Sequence, residues 1–227
     1  MIFDLLTIFP ELFDSPLQAS LLGKAIQKKL IEVRVRDLRE FTTDRHRTMD
    51  DIPYGGGAGM VMKVEPLVAA LEAIPEKNKK VRRIYLSPQG RRLEQHFLFE
   101  YLQYDQLILL CGRYEGVDAR VEHWIDEELS IGDYVLMGGE FAALVFLEAL
   151  VRLIPGVVGK EESVRHDSFS DGLLEYPQYT RPEEFRGLRV PEVLLSGHHG
   201  KIEQWRREAA HLQTEKKRSD LIKTPKK

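Results

Sequence analysis

The sequence is poor in the residues from which several familiar sites are built. It holds a single cysteine, Cys111, in 227 residues, which excludes an internal disulfide framework and a cysteine-built zinc site. It has no long apolar run. The longest uncharged one, Phe141 to Leu147, is seven residues, against the roughly 20 needed to cross a bilayer. Asp4 and Glu11 interrupt the N-terminal stretch, so a secretory signal peptide is not expected. No Walker pattern is present, no Gly-x-Gly-x-x-Gly follows the first apolar run, and no His-Glu-x-x-His occurs. Phosphate-loop, dinucleotide-fold and zinc-peptidase chemistry therefore lack their signatures. A reducing, cytoplasmic setting is the expectation.

Charge of one sign is not in large excess either: the net charge is −3. It is unevenly spread, however. Residues 201–227 carry nine Lys and Arg against four Asp and Glu, a basic end that permits nucleic-acid contact without requiring it. Hydrophobic residues make up 43% and charged residues 30%, an ordinary globular balance, and the length suffices for a sizeable core.

The chain opens with a buried-strand pattern, Ile2 to Phe9, stopped by Pro10. Ser15-Pro16 begins a helical spacing that runs to about Leu30, and Ile31 to Leu38 alternates as a second strand. A polar segment from Arg39 to Met62 contains the run Gly55-Gly56-Gly57-Ala58-Gly59, and Pro66 opens a short helix to Ile74. Three strand-then-loop units follow. Val81–Leu86 leads into Ser87 to Gly90, Leu107–Cys111 into Gly112 to Gly116, and Glu128–Leu136 into Met137-Gly138-Gly139. Helices are expected between them, near Arg92–Leu102 and Val117–Trp124, and a longer apolar one over Glu140–Ile154. Strands alternating with helices imply an α/β fold with a mostly parallel sheet covered on both faces. In such sheets ligands sit beyond the carboxyl ends of the strands, where all three glycine-bearing loops fall. The chain changes character near residue 160, and a further helix is expected over Lys201 to about Gln213. This divides it into residues 1–159, a linker or lid over 160–175, and a small helical part over 176–227.

The strand-end loops lack acidic clusters and a serine elbow. They offer main-chain amides and carbonyls, small residues, and Tyr85, Tyr114 and Tyr134. That suits an adenosine-like ligand held among apolar atoms and read at its edges by the backbone, although glycines of this kind also serve tight turns alone. Asp44, His46, Asp50 and Asp51 could together hold a cation, but polar loops collect such residues routinely.

At this point the residues carry a resemblance. The strings Asp44-Arg45-His46-Arg47, Pro53-Tyr54-Gly55-Gly56-Gly57-Ala58-Gly59-Met60, Tyr85-Leu86-Ser87-Pro88-Gln89-Gly90, Cys111-Gly112-Arg113-Tyr114-Glu115-Gly116 and Ser130-Ile131-Gly132-Asp133-Tyr134-Val135-Leu136 resemble the bacterial tRNA (guanine-N1)-methyltransferases. So do Gly138-Gly139-Glu140, Ile154-Pro155-Gly156-Val157, Asp167-Ser168-Phe169, Tyr179-Thr180-Arg181-Pro182 and Val193-Leu194-Leu195-Ser196-Gly197. The match runs in order over about residues 1–212.

The resemblance implies a SPOUT-type sheet whose C-terminal part threads a trefoil knot, followed by a small α-helical, tRNA-binding C-terminal domain. It implies a homodimer with each active site at the subunit interface. It implies S-adenosyl-L-methionine as cofactor, held by Tyr85 to Gly90, Gly112 to Gly116 and Ser130 to Gly139, and an association with magnesium for which the sequence offers no protein-only site. By resemblance Asp167 is the base and Arg152 stabilises the purine oxygen, while Glu115 holds the guanine edge. RNA contact would involve Arg45, Tyr54, Lys201, Arg206 and Arg207. Read without the resemblance, Asp167 is a helix cap and Arg152 a cation at a helix C-terminus. Two other functions share these features: methylation of ribosomal RNA or of a ribose hydroxyl, and RNA binding without catalysis.

Overall fold

The computed structural model describes residues 1–76, 79–159 and 167–223. The chain forms two compact units, Met1–Gly159 and Lys160–Lys227.

The first unit is built on a five-stranded sheet. In chain order its elements are β1 (Ile2–Thr7), α1 (Asp14–Gln18), α2 (Ser20–Gln27), β2 (Glu32–Asp37), β3 (Asp50–Asp51), β4 (Val61–Met62) and α3 (Val64–Glu72). There follow β5 (Val81–Arg92), α4 (Leu98–Tyr101), β6 (Gln106–Cys111), β7 (Glu127–Ser130) and α5 (Glu140–Val151). The main sheet has the order β2-β1-β6-β5-β7, and every pairing in it is parallel. β3 and β4 form a separate antiparallel pair.

β6 is buried along its whole length, so the period of two along it sorts side chains between two cores. Leu107, Leu109 and Cys111 join Phe3, Leu5, Ile84 and the apolar face of α5. Ile108 and Leu110 join Leu6, Ile8 and α3 on the other face. Strands covered on both faces read as continuous apolar runs, and this is why they were legible. A charge intrudes on β1. Asp4 is fully buried in β1, where it accepts from Arg36 Nε at 2.7 Å and Gln106 Nε2 at 2.6 Å.

Several elements differ from the sequence expectation. The helix expected over residues 16–30 is broken at Ala19, which is extended. Gly23 then lies against the carbonyl of Gln18, where a Cβ would fall 2.5 Å from the oxygen. The helix expected over Arg92–Leu102 shrinks to a 3-10 turn and α4 because β5 runs on to Arg92. Arg91 and Arg92 pair with Leu129 and Ser130, drawing this polar stretch into the sheet. The segment expected as a helix to Trp124 is a 3-10 helix, Ala119–Trp124, capped by Asp118. The third strand stops at Ser130 rather than Leu136. The Ser130 hydroxyl donates to the carbonyl of Gly132 at 3.0 Å and accepts from its amide at 3.2 Å, turning the chain out of the sheet.

The second unit holds a two-stranded hairpin, β8 (Glu184–Phe185) and β9 (Leu188–Arg189), then α6 (Glu192–Leu195), α7 (His199–Lys217) and α8 (Ser219–Lys223). α7 starts and ends beyond the expected Lys201–Gln213. Tyr176 and Tyr179 pack against it through Arg206 and Trp205. Thr214 is buried in it, and its hydroxyl accepts from the amide of Leu174 at 2.8 Å. Of the expected linker, residues 160–166 lie outside the described residues.

Candidate functional site

The carboxyl ends of β5, β6 and β7 meet at one rim of the sheet. There residues 85–89, at the point where β5 leaves its ladder, together with 112–116 and 129–139, surround a cavity of about 220 Å³. Each wall has a local cause. Ser87 Oγ accepts from the amide of Gln89 at 3.1 Å and folds the first loop back, as Ser130 does for the third. Leu86 and Arg91 both pair with Leu129, so residues 87–90 leave the ladder as an excursion around that one position. The second and third loops are joined. The amide of Gly139 donates to the carbonyl of Gly112 at 2.9 Å, and Arg113 bridges antiparallel to Gly138. This junction needs glycine: a Cβ on Gly139 would lie 2.8 Å from Cys111 Cα, and one on Gly112 would lie 2.9 Å from the Tyr85 ring.

A buried polar chain stands behind the rim. Glu140, the first residue of α5, is 0% exposed. Its Oε1 accepts from Thr7 Oγ1 at 2.7 Å and its Oε2 from Arg113 Nε at 2.9 Å. The Arg113 guanidinium lies 4.5 Å from the centre of the Phe9 ring. Burial pushes the Tyr85 phenol above its ordinary pKa, with Glu128 adding to the effect. Tyr114, at φ 60°, is raised by burial and by Asp50 beside it. Burial holds the Cys111 thiol well above its usual range, so it is an inert core side chain.

Of the residues expected to hold a cofactor, Tyr85, Leu86, Ser87, Pro88, Gln89, Gly112, Arg113, Tyr114, Glu115 and Gly116 line the cavity. Ser130, Ile131, Gly132, Tyr134, Val135, Leu136, Gly138 and Gly139 line it too. Gly90 and Asp133 are outside the lining. Gly90 lies against the backbone of β7, and Asp133 points to Arg92 at 3.8 Å. Leu129, Met137 and Ala142 complete the wall. Met137 falls within the expected Ser130–Gly139 loop, whereas Leu129 and Ala142 lie outside the expected ranges and join the wall through the fold of the chain around them. The wall combines apolar side chains with main-chain groups, which fits a neutral purine nucleoside read at its edges.

Arg152 is the C-terminal cap residue of α5, and Asp167 opens a turn, not a helix, in the second unit. Glu115 meets the Gly-rich segment: its amide donates to the carbonyl of Met60, and a Cβ on Gly59 would strike its carboxylate. Arg45 and Tyr54 are exposed. On α7, Lys201 and Arg207 are exposed, whereas Arg206 is half-buried, stacked on Tyr176 and paired with Glu203 at 2.8 Å. Among the described residues no group of three or more His, Cys, Asp or Glu gathers to hold a metal. Asp44 instead closes its own loop by accepting from the amides of His46 and Thr48. Among the described residues, no helix is long and apolar enough to cross a membrane.

Residues 1–224 match the family described as tRNA (Guanine-1)-methyltransferase TrmD. The chain is 57% identical over 221 residues to the tRNA (guanine-N(1)-)-methyltransferase of Carboxydothermus hydrogenoformans, covering 97% of this chain and 87% of that protein. It is 58% identical over 223 residues to that of Synechococcus elongatus, covering 97% and 94%, and 52% identical over 223 residues to that of Geobacter sulfurreducens, covering 98% and 91%.

Proposed function

The chain belongs to the tRNA (guanine-1)-methyltransferase family, and from that premise we propose how its residues carry out the reaction. The protein transfers a methyl group from S-adenosyl-L-methionine to N1 of the guanosine immediately 3′ of the anticodon in tRNA, supporting reading-frame maintenance. What carries this reading is one coincidence: a family match over nearly the whole chain and a cavity walled by the three loops that hold its most distinctive strings.

When bound, S-adenosyl-L-methionine supplies an electrophilic methyl on a sulfonium. The chain's own work begins at the other reactant. Guanine N1 carries a proton at neutral pH and is a poor nucleophile until that proton leaves. Asp167 is the base that takes it. Charge then builds on O6, where the fixed fork of the Arg152 guanidinium stabilises it. Glu115 holds the guanine edge. Its backbone is bonded to Met60 in the Gly-rich segment, so recognition and that segment are mechanically linked. Tyr85 to Gln89, Gly112 to Gly116, Ser130 to Gly132 and Tyr134 to Gly139 grip the cofactor and keep water from it. The magnesium that accompanies this family meets no protein-ligand cluster among the described residues, and no step here is routed through it.

The excursion of residues 87–90 around Leu129, with the following chain returning to Gly112, supports a trefoil knot of the SPOUT type. A homodimer is supported by an apolar surface on the first unit. Val135 is 84% exposed and Met137 88%, with Phe141 and Val145 about half exposed beside them on α5. In that dimer Asp167 comes from one subunit to the cofactor pocket of its partner. Residues 176–227 form the tRNA-binding domain, where the exposed Lys201 and Arg207 present charge to phosphates, and Arg45 and Tyr54 extend the contact from the first unit. The target base is read out of the stack. A tRNA substrate supports a cytoplasmic setting.

The test is incubation of the purified protein with transcribed tRNA and methyl-labelled cofactor, followed by mapping of the product. We expect 1-methylguanosine at that one position, and a loss of about 10²–10⁴-fold in rate for Asp167→Ala. Label on a ribose hydroxyl, no label on the tRNA, or label on ribosomal RNA offered in a parallel reaction in place of tRNA would overturn the reading.

A further inference from the structure

We propose that Glu140 is a positioning residue for cofactor binding, acting through Arg113 to hold the second and third rim loops in one arrangement. The proposal rests on the cofactor reading above. A glutamate in the first turn of a helix ordinarily faces water and complements the helix dipole. Glu140 instead is fully buried, and both of its oxygens have defined donors. Thr7 fixes one end of this chain. It is the last residue of β1, it is buried, and its hydroxyl donates to Glu140 Oε1 while accepting from the amide of Phe9 at 2.9 Å. The carboxylate is thereby tied to the carboxyl end of β1, an interior strand of the sheet.

At the other end Arg113 belongs to the cavity wall. Its Nε donates to Glu140 Oε2, its Nη1 donates to the Met137 carbonyl at 3.3 Å, and its guanidinium lies over Phe9. Gly138 makes room for it, since a Cβ there would sit 2.1 Å from Arg113 Nε. One guanidinium therefore joins residues 112–116 to 137–139, and Glu140 sets where that guanidinium lies. The carboxylate is fully buried and the guanidinium partly so, and this pair is a specific geometric device, because loss of Arg113 would strand a buried charge while loss of Glu140 would free the guanidinium to move. Neither Glu140 nor Thr7 lines the cavity, so their influence on a ligand passes through Arg113 and the loops it joins.

The experiment compares the full-length protein with Glu140→Gln and Thr7→Val. Binding of S-adenosyl-L-methionine is read by calorimetry, tRNA affinity by filter binding, the melting temperature by calorimetric scan, and loop order by amide exchange in the ligand-free protein. For Glu140→Gln we expect cofactor affinity to fall about tenfold with tRNA affinity within about twofold. Amides of 112–116 and 137–139 should exchange faster while those of β1 and β6 are unchanged. Thr7→Val, which leaves the Glu140–Arg113 pair intact, should show the same pattern at about threefold, and it carries the test alone if Glu140→Gln does not fold. Arg113→Lys keeps the charge but not the Nε geometry and should not restore affinity in combination with Glu140→Gln. Unchanged affinity with unchanged exchange overturns the proposal. So does a fall in melting temperature that weakens both ligands and loosens every strand together, the mark of a merely structural residue. If the unmodified protein does not bind S-adenosyl-L-methionine at all, the cofactor reading fails, while exchange in the ligand-free protein still decides whether Glu140 orders the loops.

Discussion

At the scale of single residues, the molecule places ionisable groups where their titration reports on packing. Tyr101 is buried beneath α5, with the Phe146 ring edge-on at 5.0 Å. Its hydroxyl donates to Glu127 Oε1 at 2.9 Å and accepts from Arg91 Nη2 at 3.3 Å. Burial pushes its pKa up to about 12. A phenol whose folded-state pKa is raised contributes stability that is complete below the unfolded value, near 10, and is lost as pH climbs toward 12. In that window the unfolded chain has released a proton that the folded chain still holds. Urea titrations between pH 9 and 12 should therefore show stability falling, with about 2–3 kcal/mol of the decline belonging to this side chain. Tyr101→Phe should remove that share and leave the slope from Tyr85 and Tyr114, whose phenols are also raised. An identical pH profile for the variant would show that Tyr101 ionises freely in the folded protein.

At the scale of elements, β5 is the strand that creates the site, and only half of it can be read from sequence. Val81 to Leu86 is legible because a strand covered on both faces must be apolar throughout. Its continuation is not. Gln89-Gly90-Arg91-Arg92 is polar, and nothing local announces that Arg91 will pair with Leu129, 38 positions onward. The glycine loops at the strand ends were legible from the abrupt change of residue type. The inward placement of Ala142 was not, because it depends on where the chain goes after Ser130. Glu140 shows the same boundary: its place on a helix was clear, its burial against Thr7 was not, since that contact spans 133 positions. Gly90 tests how tightly the two strands close. A Cβ there would lie 2.3 Å from the carbonyl carbon of Glu128, and backbone cannot yield as a side chain can. Gly90→Ala should destabilise the folded protein by at least about 1–3 kcal/mol in denaturant titration and weaken binding of the cofactor. A variant as stable as the parent would mean that β5 and β7 separate more freely than their pairing indicates.

At the scale of the whole molecule, the proposed chemistry distributes its two principal groups over separate compact units: Arg152 at the end of α5 in the first, Asp167 in the second. A dimer in which the second unit of one subunit serves the pocket of the other makes a prediction that a self-contained subunit does not. Consider Asp167→Ala and Arg152→Ala proteins, each inactive alone, dissociated and reassociated together. If the aspartate crosses between subunits, a mixed dimer holds one pocket with a native Arg152 and a native Asp167, and a second pocket lacking both. Random mixing should then restore roughly a quarter of native sites, since half the dimers are mixed and each has one intact pocket. If both groups act within one subunit, every pocket in the mixture lacks one of them and no recovery occurs. The readout is methyl transfer to tRNA against the fraction of mixed dimer, determined by distinguishable tags on the two variants. Activity rising in proportion to that fraction, with no gain when either variant is reassociated with itself, establishes sharing. A flat line at substantial mixed-dimer content assigns the aspartate to its own subunit and requires the second unit to reach its own rim.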